Sequence, residues 1–123
     1  MESTGEGARL RIRLLGEFAV WVGENRIADE QWRSRRASSL VKLLALAPGR
    51  RLHRDQVIDQ LWPESGLAAA ANSFYQTLFV ARRALGAGGV DCLRLEEGFL
   101  SLSGGADQAV WVDVEQFEAA AEA

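Results

Sequence analysis

LAAAANSFYQTLFVARRAL, residues Leu67 to Leu85, is the stretch whose reading decides the fold. At ~100° per residue, Phe74, Leu78, Ala81 and Leu85 fall in one narrow arc with Ala71 beside it, so the spacing predicts a helix with a core face. Opposite that arc lie Asn72, Gln76, Phe79 and Arg83. Ser73 and Val80 occupy one shoulder, Tyr75 and Arg82 the other. Asn and Gln side chains pair with adenine through two hydrogen bonds, and Arg pairs with guanine in the same way. Serine suits phosphate or base contacts, and a helix N-terminus favours phosphate. Phe79 is the odd member, because a solvated face gains nothing from it. It suits a thymine methyl or another protein's surface, or the edge of the core if the helix is rotated from this reading.

Working outward, Trp62-Pro-Glu-Ser-Gly66 breaks the chain ahead of this helix. A shorter helix is predicted at about Arg54 to Leu61, with Val57, Ile58 and Leu61 inward. Pro48-Gly49 separates it from a helix that Ser34 can cap, running to about Ala47 with Ala37, Leu40, Val41, Leu44 and Ala45 on one stripe. Before these helices the period is two. Leu10, Ile12 and Leu14 alternate with Arg9, Arg11 and Arg13, Phe18–Val22 is a second strand, and a third lies near Arg26–Ala28. After the helix-ending Gly86, Gly88 and Gly89, Cys92–Leu95 and Phe99–Leu102 flank Glu96-Glu-Gly98 as a hairpin, and Ala109–Val112 is expected to add a strand beside it. Residues 1–8 read as a disordered leader, residues 9–112 as one domain, and residues 113–123 as the start of a following helical domain. The predicted class is therefore α+β: a winged helix-turn-helix with an N-terminal antiparallel meander, a three-helix core and a C-terminal β-hairpin wing.

The net charge of −3 conceals a split. Residues 9–54 hold eleven basic side chains against four acidic, a balance of +7, whereas residues 55–123 hold three against eleven, a balance of −8. Such asymmetry gives the molecule one face suited to an anion. Arg33, Arg35 and Arg36 lie just ahead of and inside the first turn of the first long helix, where cations oppose the helix dipole; contact with phosphate is a reason to tolerate that. Arg51 and Arg54 at the start of the second helix extend the same field, with Arg50 nearby, and Arg82 joins the backbone candidates. Arg94 on the hairpin is placed to reach phosphate or a minor groove, although Glu96 and Glu97 at the tip repel DNA. One histidine, one cysteine, no metal-spaced ligands and no phosphate-cradling glycine loop speak against an enzyme, a metal site or a bound cofactor. His53, beside these arginines, reads as structural or phosphate-contacting. The lone Cys92 and the want of a basic-then-apolar leader or a ~20-residue apolar run fit a cytoplasmic protein with no membrane segment.

Several pieces carry a resemblance: Leu10-Arg-Ile-Arg-Leu-Leu-Gly-Glu-Phe18, Trp32-Arg-Ser-Arg-Arg-Ala37, Leu43-Leu-Ala-Leu-Ala-Pro-Gly-Arg50, Leu61-Trp-Pro63, Asn72–Leu85 and Gly98-Phe-Leu-Ser-Leu102. In their order and spacing, over about residues 9–118, the chain resembles the OmpR/PhoB-type DNA-binding domain of SARP- and AfsR-like bacterial transcriptional activators. The resemblance implies sequence-specific binding of double-stranded DNA, with helix 67–85 in the major groove and hairpin 92–102 as wing. It makes Asn72, Ser73, Tyr75, Gln76, Phe79 and Arg83 base-contact candidates and Arg33, Arg35 and Arg36 backbone candidates. It also makes Trp62, Pro63, Glu64, Ser65 and Gly66 a loop facing RNA polymerase. Val114-Glu-Gln-Phe117 and the alanines after it resemble the opening of a helical-repeat domain, to which dimerisation or signal sensing would fall. Tyr75, Phe79, Val80 and Ala81 depart from the pattern, since more polar or basic side chains, and a leucine in place of Ala81, are common there. That departure keeps a second expectation open: a winged helix used for protein interaction without DNA.

Overall fold

Ser34 opens the helical part of the fold. It is extended (φ −133°, ψ 152°), and its Oγ accepts from the Ala37 N–H at 3.2 Å, satisfying one of the free donors at the start of helix α1, Arg35–Leu46. In the computed structural model, which describes residues 10–86, 92–104 and 110–113, two further helices follow. They are α2, Arg54–Leu61, and α3, Leu67–Ala84. Helix α1 buries the predicted stripe of Ala37, Leu40, Val41, Leu44 and Ala45. Helix α3 ends where Gly86 takes φ 89°, a conformation that an L-residue with a Cβ rarely adopts. Its core face carries Phe74, Leu78, Ala81 and Leu85 as expected and widens to Ala70, Thr77 and Ala84, while Ala71 is only half-buried. Truncating the fully buried Phe74 to alanine would cost about 3–5 kcal/mol.

Two small sheets complete an α+β architecture. The first holds β1 (Leu10–Arg13), β2 (Ala19–Val22) and β3 (Asn25–Arg26), the antiparallel meander that the alternating pattern predicts. Its fourth member corrects an expectation. Of the strands called β4 (Arg51–His53), β5 (Leu93–Glu96), β6 (Phe99–Leu102) and β7 (Val110–Val112), the last does not lie beside the hairpin. It runs parallel to β1, with Leu10 opposite Val110 and Ile12 opposite Val112. Three apolar residues carry no register information, and the position is set by burial, with Val112 1% exposed in the shared core. Beyond β1 the carboxylate of Asp113 accepts from the Leu14 and Leu15 N–H groups at 2.8 and 3.1 Å, fastening the end of β1 to the end of β7.

The second sheet has the order β4-β6-β5. Strand β4 was not expected, because three residues between two helices show no periodicity; pairing with β6 defines it. The β5–β6 turn is a two-residue loop, Glu97-Gly98, with φ 54° and 86°, the double positive φ of a type I′ hairpin. One hydrophobic cluster joins both sheets to all three helices, including Leu10, Ile12 and Val112 at one end and Leu93 and Leu100 at the other. No helix among the described residues is long and apolar enough to cross a membrane. The expected leader at 1–8 and, apart from Asp113, the expected helical start at 113–123 lie outside the described residues.

Candidate nucleic-acid interface

The outward side of α3 is a ridge. Asn72, Gln76, Phe79 and Arg83 are all exposed, Phe79 by 60%, so the core-edge reading of this phenylalanine does not hold. Phe79 carries the Arg83 guanidinium 5.7 Å from its ring centroid. Tyr75 on the adjoining shoulder is 45% exposed, with its ring edge-on to the buried Phe74 at 5.1 Å.

One flank of the ridge is built by α1 and the chain that leads into it. A cleft lined by Arg35, Arg36, Trp62, Ser73, Gln76 and Val80 brings the expected backbone arginines onto the same surface as two expected base-contact residues. A second cleft of about 260 Å³ adds Arg33 beside Phe79, Val80 and Arg83, with Glu30 and Gln31 in its wall. Helix α1 has no acid in its first turn, and Arg35 and Arg36 there are exposed. Arg36 does not wave freely: its guanidinium lies 5.3 Å from the Trp62 ring centroid. Trp62 is itself only 5% exposed. It is a floor under Arg36, and the exposed part of the predicted polymerase-facing loop is Pro63 to Gly66.

The other flank is built where α2 meets the hairpin. Arg54 uses its guanidinium to donate to the Tyr75 hydroxyl at 2.8 Å and its backbone N–H to donate to the Gly98 carbonyl at 2.7 Å, so the N-terminus of α2 is tied to α3 and to the hairpin turn at once. His53 caps α2: its Nδ1 accepts from the Asp55 N–H at 3.1 Å, while the Gln56 side chain accepts from the His53 N–H at 2.9 Å. The His53 ring also meets Phe99 edge-on at 5.0 Å, and Arg51 lies over the other member of that pair, 4.2 Å from the Phe99 centroid. Register places Arg51, Ser101 and Arg94 in one row across β4, β6 and β5, on the face away from the buried Leu100 and the half-buried Leu52 and Leu95. Acids interrupt this flank at Asp55, Glu96 and Glu97.

Arg82 stands apart from the other arginines. Its Nε donates to the Leu93 carbonyl at 2.9 Å, and burial lowers its pKa below the ordinary arginine value by penalising the charged form. It pins α3 to β5. Sequence reasoning did not single out Gln31 or the cleft role of Trp62, because a single 3₁₀ turn at Asp29–Trp32 and a helix-ending tryptophan offer no periodicity to read. No protein-family model matches the chain, and no curated protein matches it significantly.

Proposed function

We propose that this chain is a winged-helix domain that binds double-stranded DNA in a sequence-specific way, with α3 in the major groove and the β5–β6 hairpin as wing. The observation that carries this is the ridge with arginines on both sides: Arg33, Arg35 and Arg36 line the clefts of one flank, and Arg54 meets Tyr75 on the other and is tied through the Gly98 carbonyl to the sheet that carries Arg51 and Arg94. A helix in the major groove lies between two phosphate strands, so it needs hydrogen-bonding side chains at its crest and cations at both edges. Asn72, Ser73, Tyr75, Gln76, Phe79 and Arg83 form the crest and its shoulders. The order β1–β2–β3, α1, β4, α2, α3, hairpin supports the winged-helix assignment, and the resemblance to activators of the OmpR/PhoB type agrees with it. Within that reading Pro63–Gly66 is the surface offered to RNA polymerase.

The test is binding of a labelled random-sequence duplex across salt. With ~6 phosphate contacts, affinity should fall by about a thousandfold between 50 and 200 mM salt. No binding at the lowest salt would sink the proposal. A second reading, a protein-interaction module, has the exposed Phe79 and Tyr75 in its favour. It predicts a mass in solution that rises with concentration and reverts when Phe79→Ser is made.

A further inference from the structure

The geometry points to Phe79 and Arg83 as a coupled pair that selects a thymine with a guanine close by, Phe79 packing on the thymine methyl and Arg83 bonding the guanine edge. This rests on the DNA-binding reading of α3. Phe79 stands on the crest of the ridge, 60% exposed, with the Arg83 guanidinium 5.7 Å from its ring centroid. Its other neighbours in the cleft are Val80 and the polar or charged Glu30, Gln31 and Arg33. An apolar ring so placed needs an apolar partner from outside, and the thymine C5-methyl is the apolar group that base edges present in the major groove.

Arg83 lies one helical turn beyond Phe79, ~5.4 Å along the axis. Base steps rise by ~3.4 Å, so side chains one turn apart meet base pairs one or two steps apart. The stack on Phe79 restricts the rotamers of Arg83 and holds its planar fork ready, which lowers the ordering cost of a two-bond contact with guanine O6 and N7. The methyl reader therefore also positions the guanine reader. Removing Phe79 should weaken discrimination at both base pairs, whereas removing Arg83 should weaken it at the guanine and leave most of the methyl contact.

The experiment begins by selecting a preferred duplex from a random pool with the 123-residue chain. Each thymine of that duplex is then replaced in turn by deoxyuridine, which keeps the pairing and removes only the methyl. One position should lose about fourfold in affinity, the worth of one buried methyl. Phe79→Ala should bind the thymine and uracil duplexes equally and should discriminate less at a guanine one or two steps away. Arg83→Ala should keep most of the thymine preference and lose the guanine preference. If the chain selects a duplex yet no thymine responds to methyl removal, or Phe79→Ala still distinguishes thymine from uracil, this pairing is overturned while DNA binding stands. If no duplex is bound at low salt, both fall. Because Phe79 is exposed, an unchanged far-UV spectrum of Phe79→Ala would separate loss of contact from loss of fold.

Discussion

Arg33 sits at φ 62° and ψ −44°, between the 3₁₀ turn and the Ser34 cap. A residue with a Cβ pays ~1–3 kcal/mol to hold such a conformation, and only glycine adopts it readily. Arginine at this point costs stability, and under the DNA-binding reading it contributes a cation to the cleft beside Phe79 and Arg83. Arg33→Gly is therefore expected to raise stability by about 1 kcal/mol in a urea titration and to weaken DNA binding in the same preparation. A loss on both counts would mean that Arg33 holds the fold. Gly98 has the opposite sign. At φ 86° it is the second residue of the hairpin turn, and a Cβ there would lie 2.8 Å from His53 Nε2. The imidazole cannot simply retreat, because Nδ1 caps α2 and the ring packs on Phe99. Gly98→Ala should cost about 2 kcal/mol, combining left-handed strain with part of the cap. In a His53→Ala background the same change should cost about half as much, since only the strain remains.

At the scale of elements, the first turn of α1 is the most informative. Ser34 supplies the cap, and Ser34→Ala should destabilise by ~1 kcal/mol. Arg35 and Arg36 follow where a helix dipole prefers acids. Changing Arg35 to Gln should accordingly add a few tenths of a kcal/mol to stability while lowering affinity for every DNA sequence alike and flattening the salt dependence by about one phosphate. Equal loss of stability and affinity would contradict that. This turn was legible in the sequence because Ser34 is followed by an apolar stripe at helical spacing. Helices α2 and α3 were legible for the same reason, down to the exposure of Asn72, Gln76 and Arg83. What escaped were elements defined by partners rather than by period. Strand β4 exists because Leu52 pairs with Leu100, and β7 lies on β1 because Val112 fills the core there. The site divided along the same line. Its residues could be chosen from one helix face, but the Trp62 floor under Arg36 and the bond from Arg54 to Tyr75 arise from contacts between separate elements.

Across the whole molecule, the placement of β7 decides whether the N-terminal sheet is an appendage or part of one folding unit. Strand β1 is gripped on one side by β2 and on the other by a strand almost a hundred residues later, and both sheets share one core cluster with the helices. A sheet that depends on such distant closure has little reason to form before the helices that complete its inner face. Unfolding should therefore be one cooperative step. Far-UV circular dichroism is dominated by α1–α3, whereas two of the four tryptophans, Trp21 and Trp111, lie in the N-terminal sheet and report it by fluorescence. The two signals should give coincident urea transitions. Val112→Ala, which empties a site that is 1% exposed, should shift both by the same ~2 kcal/mol. If fluorescence moved and circular dichroism did not, the sheet would be a separate unit, and the orientation of the helices would owe nothing to it. If both moved together, residues 110–112 would be needed to hold the three helices, and with them the ridge of α3, in one rigid arrangement.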